Sequence, residues 1–277
     1  LKLFFLIIPI SFVTIADINQ VYLTGYVLNV ILGMKRFLRQ ILTSLRKIHL
    51  MLDKKIIIAL DYDSITDVDS LCNKINPTQC RLKVGKQLFT RYGGSIIKNL
   101  QNQDFEIFLD LKFHDIPTTV YKACRAAFDL GIWMLNIHIQ GGERMIKAAL
   151  KARDESNPSG KLIGVTALTS LNNDDLSIYN FNERSSLVNH LALKAYNCGM
   201  DGIVCSPGDI SKIGISDDDF QYVTPGIRLN QNKDDHEQAF TPQDAVKLGA
   251  SYLVLGRAVT ESDNPDATIK SIIKSID

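Results

Sequence analysis

The chain has 277 residues, of which 45% are hydrophobic and 22% charged, and its formal net charge is +1. Such a composition is ordinary for a globular protein and suffices for one large domain or two small ones. A near-neutral chain has no general polyanion-binding surface, so a nucleic-acid partner is not expected. The five cysteines (Cys72, Cys80, Cys124, Cys198 and Cys205) show no CxxC pair and no zinc spacing. Reduced, mostly buried thiols in a cytoplasmic protein are the expectation.

Residues 1–50 differ from the rest. Leu3 to Ala16 is apolar but interrupted by Pro9, and is short for a membrane span. Phe37, Leu38, Ile41, Leu42, Leu45 and Ile48 recur at helical spacing among Arg36, Arg39, Arg46 and Lys47, which describes a basic amphipathic helix. Met51 stands just before a clean domain start, Leu52-Asp53-Lys54-Lys55-Ile56. We read 1–50 as an N-terminal extension outside the fold, with the working domain at 51–277. Membrane association through 1–50 is the alternative.

From Lys55 the pattern turns regular. Short apolar runs at Ile56–Leu60, Arg81–Val84, Glu106–Leu111, Trp133–Ile137, Leu162–Ala167, Gly202–Cys205, Gln221–Thr224 and Tyr252–Leu255 read as strands. Helical stretches alternate with them: Ile65–Ile75, Leu88–Leu100 with a break at Gly93-Gly94, Thr118–Leu130, a helix after Gly141-Gly142 to Arg153, Ser185–Asn197, a short one around Asp209–Ile213, one opening at Thr241-Pro242, and Pro265–Ile276. Thr241 suits a cap and Pro242 the first helical position. Eight strand-helix alternations predict a (β/α)8 TIM barrel, because runs of nearly continuous apolar residues suit parallel strands buried on both faces. An open doubly wound sheet fits less well, since no GxGxxG follows the first strand.

In a barrel, functional groups collect at the carboxyl ends of the strands. Asp61 ends strand one, and Lys83 lies in strand two. Asp110 and Lys112 end strand three, with Asp115 in the short loop before Pro117. Strand periodicity points Asp110 and Lys112 the same way and brings Asp115 within reach. A lysine flanked by two carboxylates has its ammonium form stabilised, which suits proton donation or anion binding rather than Schiff-base chemistry. Thr169 and Ser170 follow strand five. Arg228 follows strand seven in Thr224-Pro225-Gly226-Ile227-Arg228, and Gly256-Arg257 ends strand eight. The strand 7–8 side of a barrel is a frequent phosphate site, and an arginine there can bind phosphate with two parallel hydrogen bonds. His114 and His138 read as supporting residues and Trp133 and Phe108 as core. His190 has no partner at metal spacing, so no metal is expected.

Lys83-Val84-Gly85, Asp110-Leu111-Lys112-Phe113-His114-Asp115-Ile116-Pro117, Leu168-Thr169-Ser170, Thr224-Pro225-Gly226-Ile227-Arg228 and Gly256-Arg257 occur in the order of one family. From Met51 to the C-terminus the chain resembles the orotidine 5'-phosphate decarboxylases. The resemblance implies catalysis without a cofactor, with Lys112 as proton donor to C6 of the pyrimidine and Asp110 facing the substrate carboxylate. It implies that Lys83 and Asp115 complete an alternating charge array, and that Asp61 and Lys83 hold ribose hydroxyls. Thr169 would contact the pyrimidine region, and Arg228, Gly256 and Arg257 the phosphate. A homodimer is implied, with Asp115 and Thr119 reaching the neighbouring site. The family's usual glutamine in the loop after strand seven has no counterpart at the matching position. His236 stands there, with Gln238 two residues on. Barrel relatives that use magnesium on sugar phosphates share the DxKxxD and are the rival reading. A catalytically silent phosphate-binding protein is the other.

Overall fold

The computed structural model describes residues 54–168, 170–171, 173–229 and 240–276. Eight parallel strands close into a barrel in sequence order. They are β1 (Ile56–Leu60), β2 (Cys80–Gly85), β3 (Ile107–Phe113), β4 (Met134–His138), β5 (Lys161–Val165), β6 (Gly202–Val204), β7 (Gln221–Thr224) and β8 (Tyr252–Leu255). Closure comes from β1, which pairs with β2 on one side and β8 on the other. Around them run helices α1 (Ile65–Cys72), α2 (Lys86–Tyr92), α3 (Gly94–Gln101), α4 (Pro117–Phe128), α5 (Glu143–Ser156), α6 (Asn173–Leu176), α7 (Arg184–Cys198), α8 (Pro207–Ile210), α9 (Pro242–Lys247), α10 (Arg257–Thr260) and α11 (Pro265–Ile276). The architecture is the TIM barrel expected from the strand-helix alternation.

Alternation along each strand divides the apolar residues between two layers. Ile57, Ala59, Phe108, Met134, Ile163, Val223, Tyr252 and Val254 fill the barrel interior. Their neighbours Ile56, Ile58, Leu60, Leu82, Val84, Leu109 and Leu135 face outward and pack with Val68, Leu71, Ile97 and Val120 of the helices. Both faces of the strands are thus dry, which is why the sequence reads as unbroken apolar runs.

The amino-terminal mouth is plugged. The Arg81 guanidinium lies 3.8 Å from the Trp133 ring centroid, and Trp133 meets Tyr252 edge-on at 5.1 Å. Glu106 supplies the countercharge at 3.2 Å from Arg81 Nε.

Local signals set the element ends. Thr241 accepts a hydrogen bond from the Asp244 N–H at 3.2 Å, and Pro242 takes the first helical position, as the sequence indicated. The short helix after β6 starts earlier than expected, at Pro207, because Ser206 and Asp209 form a reciprocal capping box there. Strand β3 continues past Leu111 to Phe113, but its pairing with β4 shifts register between Leu109 and Phe113. No helix among the described residues is long and apolar enough to cross a membrane. Residues 1–53, including the expected amphipathic helix, lie outside the described residues.

Candidate active site

Strand register brings the acids and lysines together. Leu60 pairs with Val84 and Gly85 with Asp110, so the carboxyl ends of β1, β2 and β3 lie side by side. Lys83 Nζ stands 3.5 Å from Asp61 Oδ1 and 3.3 Å from Asp110 Oδ2. Lys112 Nζ lies 2.5 Å from Asp110 Oδ1. The order in space is carboxylate, ammonium, carboxylate, ammonium: Asp61, Lys83, Asp110, Lys112.

The expectation of Lys112 held between Asp110 and Asp115 needs correction. Asp110 is instead the group held between two lysines. Asp115 is exposed, and its Oδ1 accepts the Ile116 N–H at 2.6 Å. That bond ties its carboxylate to the start of α4, away from the Lys112 ammonium. Thr119, three residues into α4, is exposed beside it, as is Ile116, at 67%.

Burial pushes the Asp110 carboxyl up. The ammoniums of Lys83 and Lys112, with hydrogen bonds from Lys112 and Asn136, more than offset this and hold it below the ordinary carboxylate range. Asp110 is therefore a fixed anion at neutral pH.

Asn136 was not singled out from the sequence. It is 1% exposed in the middle of β4. Its Nδ2 donates to Asp110 Oδ1 at 2.6 Å, and its Oδ1 accepts the Lys112 backbone N–H at 2.8 Å. The available signal was a lone amide in the apolar run Met134-Leu135-Asn136-Ile137, because a buried amide must find partners in its own layer.

These groups line a cavity of about 220 Å³ whose remaining wall is apolar: Phe108, Val165, Val204, Val223, Pro225 and Val254 among others. A wider opening of about 590 Å³, which shares Val254, is bordered by Asp61, Gly226, Arg228, Gly256 and Arg257. Arg228 is anchored through its backbone N–H, which donates to the Phe240 carbonyl at 3.0 Å. Gly256 stands just before α10 with Arg257 as that helix's first residue, and a Cβ on Gly256 would lie 4.0 Å from Asp61 Oδ2. The expected phosphate residues thus border one opening above the charged array. Thr169 and His236 lie outside the described residues, as does Gln238.

At the rim, the His138 and His114 rings are 5.5 Å apart. Burial lowers the His138 pKa, partly countered by a hydrogen bond with Gln140, while His114, Lys86 and Lys112 lower it further. His138 is thereby kept as a neutral support. His190 packs against the Phe181 ring at 5.6 Å.

A closed parallel barrel that plugs one mouth and gathers its charges at the other belongs to the enzyme class of (β/α)8 barrels. Residues 54–272 match the Orotidine 5'-phosphate decarboxylase / HUMPS family, and the chain belongs to that family. An orotidine 5'-phosphate decarboxylase of Vibrio parahaemolyticus serotype O3:K6 is 44% identical over 233 residues, covering 82% of this chain and 99% of the relative. One from Actinobacillus succinogenes is 44% identical over 235 residues, covering 81% and 99%. The crystal structure of an orotidine 5'-phosphate decarboxylase from Lactobacillus acidophilus superposes with a TM-score of 0.73 at 38% identity, covering 81% of this chain and all of that one.

Proposed function

We propose that this chain decarboxylates orotidine 5'-phosphate to uridine 5'-phosphate and carbon dioxide, without a cofactor, in pyrimidine nucleotide synthesis. The observation that carries the reading is the Asp61–Lys83–Asp110–Lys112 array, of which Lys83, Asp110 and Lys112 line an otherwise apolar cavity. Family membership supplies the substrate.

The chemistry explains why such an array is useful. Breaking the C6–carboxylate bond leaves its electron pair on C6, in the plane of the ring, where the ring's π system delocalises it poorly. A fixed ammonium beside that carbon stabilises the developing charge in a site that needs no reorganisation. Lys112 has this role: its ammonium faces the carbanion and then donates the proton that becomes the C6 hydrogen. Solvent returns a proton to the lysine. Asp110, anionic and held in place by Lys83, Lys112 and Asn136, faces the carboxylate that leaves. Lys83 and Asp61 take the ribose hydroxyls.

The phosphate end falls to Arg228, Gly256 and Arg257, supported by their position around the wider opening. Binding energy gathered there, far from C6, contributes to the reacting centre when it is realised in the transition state. We also propose that Thr169 and His236 complete the pyrimidine and loop contacts. The protein acts as a homodimer in this reading. The exposure of Asp115, Ile116 and Thr119 supports their covering the neighbouring subunit's site.

The test is to incubate the purified full chain with orotidine 5'-phosphate in the presence of a chelator. Loss of the orotate chromophore and release of carbon dioxide are followed together. Stoichiometric uridine 5'-phosphate is expected. A folded protein that ignores the nucleotide yet turns over a sugar phosphate only with added magnesium would overturn the reading.

A further inference from the structure

The β3–β4 ladder breaks where the reacting groups sit. Leu109 pairs with Leu135 and Phe113 with Ile137, so Asp110, Leu111 and Lys112 together stand opposite Asn136. Such a bulge bends the strand and leaves backbone groups without a ladder partner. Lys112 also adopts φ 53°, a left-handed conformation that is costly for a residue with a long side chain. Something must hold that shape, and one side chain is placed to do so.

We propose that Asn136 is a positioning residue for the decarboxylation. Its carboxamide spans the bulge, accepting the Lys112 N–H at 2.8 Å and donating to Asp110 Oδ1 at 2.6 Å. The two partners fix which way the amide faces, since a backbone N–H can only donate and a carboxylate can only accept. The backbone of Asn136 is itself held in register opposite Ile163 of β5. Through these bonds β4 sets both the turn that carries Lys112 and the rotation of Asp110. The Lys112 backbone and the Asp110 carboxylate are thereby fixed relative to one another.

The residue type follows from the geometry. Alanine satisfies neither partner. Aspartate offers no donor and sets a second carboxylate against Asp110. Serine has one hydroxyl on a shorter arm and cannot span both.

The kinetic arm of this inference rests on the decarboxylase reading, so the experiment carries a second, independent arm. Asn136→Ala and Asn136→Ser are made in the full chain and compared with the parent. We expect kcat to fall about 100-fold, the scale of a misplaced reacting group, with KM for orotidine 5'-phosphate changed less than about threefold. Loss of a donor to Asp110 moves the acid limb of the kcat profile to higher pH. Amide hydrogen exchange at Lys112, slow in the parent, becomes fast in the variants. A merely structural role would lower the melting temperature and leave kcat per folded molecule and the acid limb unmoved. The proposal is overturned by a folded variant with the parent's kcat, or by a Lys112 amide that exchanges as fast in the parent as in the variants. A parent without turnover would sink the decarboxylase reading alone, and the exchange arm would still decide the role of Asn136. Asn136→Ser carries both arms if Asn136→Ala does not fold.

Discussion

Asp110→Asn removes a carboxylate that two ammonium groups share. Lys112 Nζ lies 2.5 Å from Oδ1 and Lys83 Nζ 3.3 Å from Oδ2. Without the charge between them, the two ammoniums repel across a mostly apolar cavity. Lys83 has little water to turn to, with its side chain 12% exposed, and its other partner, Asp61, is 71% exposed and well screened. Lys112, at 27%, recovers part of its hydration. Removing one partner of a buried ion pair costs about 3–5 kcal/mol, and the hydration of Lys112 puts this case near the low end, about 3 kcal/mol. For a domain of this size that lowers Tm by about 6–12 °C. The pH dependence has a definite sign. The folded-state pKa of Asp110 is depressed, because the two lysines and two hydrogen bonds outweigh the upward push of burial. Its contribution is therefore fully present above the ordinary carboxylate pKa of about 3.9 and is lost as pH falls through the folded value. Far-UV circular dichroism melts of parent and variant from pH 8 to pH 3 read this directly. The gap should stay constant down to about pH 5 and close only in stronger acid. A gap below about 2 °C at pH 7, or one that narrows as pH rises, would refute the reasoning.

Other substitutions test other parts. Arg257→Ala should raise KM for orotidine 5'-phosphate about 10- to 100-fold, the worth of a charge-assisted hydrogen bond of about 1.5–3 kcal/mol. The nucleoside without its phosphate should be handled alike by parent and variant, and steady-state kinetics on both substrates checks this. Gly202→Ala would drive a Cβ into the Gln221 carbonyl oxygen across the β6–β7 pair. A loss of about 3 kcal/mol is expected, seen as a lower urea midpoint. Burial pushes the thiols of Cys72, Cys80 and Cys124 up to about 12 and raises Cys205 as well. With Ellman's reagent at pH 8, only the half-buried Cys198 should react in the native state, while all five should react in urea.

How far the sequence reaches can be judged from particular residues. The strands were legible because burial on both faces leaves unbroken apolar runs, and Thr241-Pro242 marked a helix start unaided. The convergence of Asp61, Lys83, Asp110 and Lys112 was legible from a single rule, that barrel chemistry sits at strand ends. The place of Asp115 within the chain of charges was not. Period-two reasoning assumes a regular strand, and β3 bulges at Asp110–Lys112 with Lys112 at φ 53°. Asp115 looked close in sequence, but the Ile116 N–H captures its carboxylate. Asn136 showed in the sequence only as a lone amide in an apolar run, and the β3–β4 register shift that brings its partners to it is announced by no local pattern. Thr169 and His236 were read by resemblance and lie outside the described residues.

The most direct test of the account is turnover by Lys112→Ala beside its binding of uridine 5'-phosphate. With the product bound within about tenfold of the parent's affinity, decarboxylation should fall at least about 1000-fold, as expected when both the stabilising charge and the proton donor are removed. A folded variant that still releases carbon dioxide within about tenfold of the parent's rate would contradict the role of Lys112.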